Sequence, residues 1–248
     1  MIANYGNWVS TRLILGPAVL AVLLGAASLF SLFLLIPAVV FLLIAVYFAY
    51  ARYLFSPGGG SVQEKVQALV VEGLDWDGNG RALDIGCGSA ALAIGVARKF
   101  PCSQIVGTDY WGGNWEYSQK LCRDNAQAEK VAERVSFQKA SASSLPFRDE
   151  EFDAIVSNLV FHEVKDTRDK TLLIREALRV LKKGGSFALQ DLFYIQRMYG
   201  RPEDLVTTIK GWGVEKAELV ETRSSRFIPA ALRLPFMVGT LGLLVGRK

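Results

Sequence analysis

Charge is missing from one long stretch of this chain: between Arg12 and Arg52 there is no Lys, Arg, Asp or Glu. That absence excludes an ordinary water-facing helix there, because a soluble helix keeps one polar face. Histidine is almost lacking too. His162 is the sole one, so no histidine-rich metal site can be assembled. The three cysteines, Cys87, Cys102 and Cys122, form no C-x-x-C pair; neither a disulfide framework nor a zinc site is indicated, and the usage fits a reducing compartment. No dense Lys/Arg tract with interleaved aromatics occurs and the net charge is only +4, so nucleic acid is not an expected partner.

What is present divides the chain in two. Hydrophobic residues make up 51% of the 248, and the excess is concentrated between Leu13 and Ala51. About 20 apolar residues cross a bilayer core of roughly 30 Å. This run is close to twice as long, so two helices are expected, at about 13–29 and 32–50, joined where Gly25, Ser28, Ser31 and Pro37 weaken the middle. Arg12 and Arg52 then fall on one side, which the positive-inside rule makes cytoplasmic, with Tyr47, Tyr50 and Tyr53 at the interface. A hairpin that dips into a single leaflet is the alternative. A signal peptide cleaved within Gly25–Ser28 is disfavoured by the second apolar run that follows at once. The chain therefore reads as a multi-pass cell-membrane anchor over 1–55, a Ser-Pro-Gly-Gly-Gly-Ser linker over 56–61 and one cytoplasmic domain over 62–248.

Within that domain, strand and helix alternate. Helical spacing is predicted over 62–74, 90–100, 114–130 and 167–181, and strands over 81–85, 104–108, 135–139, 152–157 and 186–190. The tail differs, with strand-like segments at 214–222 and 240–246 and no core-type helix between them. The pattern predicts an α/β fold: a Rossmann-like, seven-stranded, mostly parallel sheet with an antiparallel end and helices on both faces, preceded by a transmembrane helical hairpin.

Leu83-Asp84-Ile85-Gly86-Cys87-Gly88, Asp109 at the end of the second strand, Ser144-Leu145-Pro146-Phe147 before Phe152–Ser157, and Glu176–Gly185 before the fifth strand resemble, in order and spacing, the motifs of class I S-adenosylmethionine-dependent methyltransferases. The small-molecule and lipid-quinone methylating branch is the most similar. The resemblance covers residues 62–248 and implies S-adenosyl-L-methionine as cofactor, with the last strand antiparallel. Its binding residues would be Asp84, Gly86, Cys87, Gly88, Asp109, Tyr110, Ser141, Ala142 and Asn158.

Elementary chemistry agrees. Glycines without Cβ let the chain turn and a ligand lie on bare backbone, and the helix that follows presents free N–H groups. A carboxylate about 20 residues on can accept both ribose hydroxyls. Tyr110 and Trp111 could cover an adenine face. Two positions depart from the family pattern: Ser141 stands where an Asp is usual, and Ala90 where some members carry a third glycine. Gly86-x-Gly88-x-x-Ala91 also satisfies a dinucleotide fingerprint, but NAD would not account for the acidic Asp84 just before the glycines.

Methyl transfer from a sulfonium needs chiefly positioning and exclusion of water, with a base only where the acceptor loses a proton. His162, after the fourth strand, and Asp191, at the end of the fifth, are the catalytic candidates. The alternatives are a packed loop histidine and a capping or surface aspartate. Asn158 and Glu163 lie in the same loop region, and Tyr194 and Tyr199 form an aromatic lid or simply pack. The nearly all-apolar connection from Phe227 to Val238 is read as an interfacial segment or as a core-covering loop. The expected function is methylation of a lipophilic or membrane-partitioned small molecule, with the lipid bilayer and that substrate as partners. A membrane-tethered protein methyltransferase and a non-catalytic cofactor-binding scaffold are the alternatives. No metal is expected.

Overall fold

A computed structural model describes residues 2–112 and 117–248, which group into two compact units: one of residues 6–65, and one of residues 66–248 together with the short N-terminal segment through Tyr5.

The first unit is a helical hairpin. Helix α1 (Arg12–Ala27) and helix α2 (Leu35–Phe55) pack along each other, joined by a turn at 28–31 and a 3-10 turn at Leu32–Leu34. Near its end α2 reaches back to the start of α1. The Arg52 guanidinium donates to the Val9 carbonyl, the Asn7 side-chain amide donates to the Arg52 carbonyl at 2.9 Å, and the Trp8 and Phe55 rings meet edge-on at 5.4 Å. Leu32–Phe55 is the one described helix long and apolar enough to cross a membrane; α1, at 16 residues, is shorter. At the tip of the hairpin Phe30 is 95% exposed, and Leu29, Leu32 and Phe33 stand open beside it. The glycine-rich stretch expected as a linker is a 3-10 turn, Pro57–Gly59, in which Ser56 accepts from the Gly59 and Ser61 N–H groups. It runs into α3 (Val62–Gly73), and the division between the units falls within that helix.

The second unit is the layered sheet. In chain order its remaining elements are β1 (Gly80–Ile85), α4 (Ala91–Lys99), β2 (Ser103–Asp109), α5 (Gln119–Ala128), β3 (Val135–Lys139), β4 (Phe152–Asn158), α6 (Thr171–Val180), β5 (Leu181–Asp191), α7 (Gln196–Tyr199), α8 (Pro202–Lys210), β6 (Lys216–Glu221) and β7 (Gly242–Arg247). The seven strands lie in the order β3-β2-β1-β4-β5-β7-β6, all parallel except β7, which runs antiparallel to both β5 and β6. The helix expected from Asn114 starts, as described, at Gln119; residues 113–116 lie outside the described residues.

Alternation along each strand sorts the side chains into two cores. Leu83, Ile85, Ile155, Phe187 and Leu189 pack with Leu173, Ile174 and Leu178 of α6 and with Leu205 and Ile209 of α8. Ala82, Ala154, Val156 and Ala188 face Leu92, Ile94 and Val96 of α4 and Cys122 and Ala126 of α5. Small residues on that second face let α4 approach the sheet closely. Because β1 lies between β2 and β4, the order reverses there and opens a crevice at the carboxyl ends of the strands, where ligands bind in open α/β sheets.

Phe152 is fully buried, meets Phe147 edge-on at 4.9 Å, and carries the Arg81 guanidinium 5.0 Å from its ring centre. Its replacement by Ala removes an anchor shared by β4 and the loop ahead of it. The expected cost is about 3–5 kcal/mol, read as a fall of roughly 10 °C in thermal midpoint. A midpoint that stays put would show that this ring does not hold the sheet.

Candidate functional site

The turn after β1 is built by backbone. Gly86 and Cys87 N–H both donate to the Thr108 carbonyl of β2, at 2.7 and 2.9 Å, which bends the chain back over the neighbouring strand. Gly86 has φ +71°, and a Cβ there would come within 2.2 Å of Val160. Gly88 has φ +54°. Ala90, at the position where a third glycine is found in some family members, also takes a left-handed conformation at φ +69°; the alanine carries strain of about 1–2 kcal/mol that a glycine would not.

Two carboxylates flank this turn. Asp109, closing β2, accepts from the Gly88 N–H at 2.9 Å and the Trp111 N–H at 2.7 Å, so its oxygens are fixed in place with lone pairs to spare. Asp84 is buried on β1, and neither of its oxygens has a hydrogen-bond partner of normal geometry among the described residues. Burial pushes its pKa up to about 8; a weak pull from the Ala93 N–H opposes the shift and the Asp109 charge adds to it. Cys87 lies in the turn between them. Burial, the Cys122 thiol and both carboxylates push its pKa well up, so it stays a neutral thiol and is no nucleophile.

These residues fit S-adenosylmethionine. A buried, orphaned carboxylate is a costly feature that a ligand ammonium would satisfy, and Asp109 is held with acceptor capacity free for a diol. The same acidic pair offers no cation to the diphosphate that the dinucleotide reading would require.

The second centre lies after β4. Leu159, at φ +58°, turns the chain sharply, and the Val160 and Phe161 N–H groups then both donate to one oxygen of Asp191, at 3.0 and 2.7 Å. The other oxygen receives His162 Nδ1 at 2.8 Å and the Leu192 N–H at 2.7 Å. Asp191 is fully buried, and its four partners orient the imidazole so that Nε2 faces away from it. Burial alone would lower the His162 pKa; the hydrogen bond and charge of Asp191, with the Glu163 charge, outweigh it and hold the pKa above its ordinary value. Tyr199, read from sequence as lid or packing, is the latter. It is buried edge-on to Phe193 at 4.9 Å, and burial with the Asp191 charge beside it keeps the phenol protonated.

Asp84, Gly86, Cys87, Gly88 and Asp109 are thus brought together around one turn, and His162 and Asp191 form a hydrogen-bonded pair. Asn158, at the end of β4, buries an amide oxygen with no partner among the described residues. Tyr110 is 63% exposed with the Lys139 ammonium 4.8 Å from its ring centre, and Trp111 instead donates its indole N–H to the Gly88 carbonyl. Ala142 is buried in the core on the α6 side, while the Ser141 hydroxyl meets Ser143 and Asp166. Sequence reasoning missed Asp166, which gathers the Ser141 and Ser143 hydroxyls, and also Gln190 and Asn125, both buried amides. Gln190 interrupts an apolar run and could have been noticed for that; Asn125 lies in a polar stretch with no such signal.

The methyltransferase-domain family profile matches residues 83–189. This stretch is a methyltransferase domain. Methyltransferase GfsG of Streptomyces halstedii is 31% identical over 59% of this chain and 48% of its own length. The ubiquinone/menaquinone biosynthesis C-methyltransferase UbiE of Geobacter sulfurreducens is 30% identical over 50% and 46%. The chain thus spans about half the length of the curated relatives it matches. Among solved structures, geranyl diphosphate C-methyltransferase of Streptomyces coelicolor superposes with a TM-score of 0.60 at 13% identity, covering 80% of this chain and 82% of that one. The cyclase SpnF gives 0.57 at 23%, covering 76% and 82%. A cyclase on the same scaffold is a reminder that the fold alone does not fix the reaction.

Asp84→Asn tests the first centre. The raised pKa means that the folded protein holds a proton the unfolded chain releases, so ligand-free stability falls as pH rises from about 4 towards 8. The variant has no such slope. It is expected to melt higher than the parent at pH above about 8 while binding S-adenosylmethionine roughly tenfold or more weakly by calorimetry. Unchanged affinity would remove Asp84 from the site.

Proposed function

We propose that this chain transfers the methyl group of S-adenosylmethionine to a lipophilic or membrane-partitioned small molecule at the cytoplasmic face of a membrane. The observation that carries the reading is the orphaned Asp84 carboxylate set beneath the glycine turn and opposite the pinned Asp109. It calls for a cation-bearing nucleoside. When bound, S-adenosylmethionine supplies a methyl group activated by its sulfonium.

The chain's own residues do the rest. Asp84 accepts from the ligand ammonium, Asp109 from the ribose hydroxyls, and the start of α4 offers N–H groups to the carboxylate. His162, its ring held through Nδ1 by Asp191, presents Nε2 as the group that takes a proton from the acceptor. Asp191 orients the ring and stabilises its charged form. The buried Asn158 amide at the strand end lines the same crevice.

The case for a lipophilic acceptor rests on the apolar surface. The exposed hairpin tip is tolerated in lipid and not in water. Both ends of the 6–65 unit lead into the same compact body, which favours an even number of crossings, although α1 would extend only about 24 Å. The connection from β6 to β7 opens at the carboxyl end of β5, beside the crevice. It exposes Leu234, Pro235 and Phe236, the last by 65%, together with Arg223, Arg226 and Arg233 and without any acidic residue. Apolar tips among arginines suit an anionic leaflet. The relatives named for ubiquinone and menaquinone biosynthesis make a quinone-type ring a leading candidate acceptor.

With labelled cofactor and a membrane lipid extract, label is expected in an organic-soluble product. Label confined to protein would overturn the reading. His162→Ala is expected to lower turnover about 10²–10⁴-fold and leave cofactor affinity intact. In the parent, the rate rises with pH through the elevated His162 pKa. Asp191→Asn removes the charge that elevates it, so the acidic limb moves to lower pH and the plateau falls. An unmoved limb would assign the titration to another group.

A further inference from the structure

The chain ahead of the apolar hairpin belongs to the methyltransferase unit, and one side chain explains how it is held there. Asn125 of α5 is 1% exposed and makes three hydrogen bonds. Its Oδ1 accepts from the Asn4 N–H at 2.8 Å, and its Nδ2 donates to the Asn4 carbonyl and to the Ser89 carbonyl, each at 2.9 Å. The Ser89 hydroxyl donates to the Tyr5 carbonyl at 3.2 Å, and Tyr5 packs on the core that contains Cys87 and Ala90. Residues 4 and 5 therefore form a strap laid across the turn, with Asn125 bonded to the strap and the turn at once. Gly6, the next residue, already belongs to the apolar unit.

Position on α5 matters. Cys122 and Asn125 are three residues apart, on one face of the helix. The Cys122 thiol donates to the Gly88 carbonyl at 3.0 Å, so two successive carbonyls of the turn, Gly88 and Ser89, are drawn towards α5. In a planar trans peptide the N–H points opposite the carbonyl. The Ser89 N–H, which has no hydrogen-bond partner among the described residues, is thereby directed away from α5, at the point where α4 begins and an anion would be received.

We propose that Asn125 is a positioning residue that latches the N-terminal strap onto the cofactor turn, so that affinity for S-adenosylmethionine depends on the segment leading into the membrane hairpin. This rests on the reading of the turn as the site for that cofactor. Binding by the parent protein tests that reading, and the ratio between variant and parent tests the latch. The consequence is regulatory: whatever displaces residues 2–5, at the root of the hairpin, loosens the turn.

The test uses the full chain in nanodiscs, with calorimetric affinity for S-adenosylmethionine and hydrogen exchange of residues 2–5 as readouts. Asn4→Pro deletes the strap N–H that Asn125 accepts and touches neither α5 nor the turn. Asn125→Asp keeps the shape and the acceptor but replaces the two donors with a carboxylate oxygen facing two carbonyls. A packing role predicts that Asp behaves like the parent; a latch predicts that it is at least as harmful as Ala. Expected are a roughly tenfold loss of affinity in Asn4→Pro, Asn125→Asp and Asn125→Ala, through faster release, and faster exchange in the strap. Parental affinity in Asn125→Asp, or affinity within about twofold of the parent in Asn4→Pro despite a freed strap, would overturn the proposal. Should the α5 variants fail to fold, Asn4→Pro and removal of residues 2–5 decide it by the same criterion.

Discussion

A carboxylate buried without a partner is among the most expensive features a small domain can hold, and Asp84 is that feature here. Its neighbourhood is arranged around it. The glycine turn covers it with backbone, the Asp109 charge nearby favours its protonated form, and Cys87 is kept neutral between them. A site built in this way destabilises the ligand-free protein and gains from any cation that arrives. It sets stability against binding, as functional sites commonly do. It also discriminates, because an anionic pyrophosphate finds no cation at this acidic pair, whereas a sulfonium nucleoside brings an ammonium.

The sheet order then separates the two centres. Asp84 and Asp109 lie towards the carboxyl ends of β1 and β2 on one side of the reversal between β1 and β4; on the other, His162 follows β4 and Asp191 ends β5. Asp191 makes the second centre rigid, since three backbone N–H groups and one imidazole converge on it. Leu159, left-handed although bulky, is the strained residue that makes this convergence geometrically possible.

Much of this was legible in the residues. Alternating apolar runs gave the sheet, and the order of the glycine turn, the acidic residue that follows it and the Lys-Lys-Gly-Gly turn narrowed the chemistry. Local signals could place Asp84, Gly86, Gly88 and Asp109 because strand ends and glycines fix them in sequence. They could not place Asn125 or Asp166, whose roles arise only when α5 and the loop after β4 pack beside distant turns. Tyr199 was undecided for the same reason: one buried tyrosine and one lid tyrosine look alike until α7 docks. The start of the chain was the larger omission. Nothing in its first residues marks them as part of the methyltransferase unit, because that membership is made by hydrogen bonds between residues 121 positions apart.

The strap and α3 are the covalent paths between the apolar hairpin and the sheet. On this account the orphaned carboxylate is the feature on which everything else turns, and its protonation can be read directly. Titrating the full chain with S-adenosylmethionine at pH 7 in buffers of different ionisation enthalpy counts the protons exchanged on binding. A group with a pKa of about 8 is mostly protonated there, so release of most of a proton is expected as the ammonium takes its place. Binding with no proton released, or no binding at all, would contradict the account.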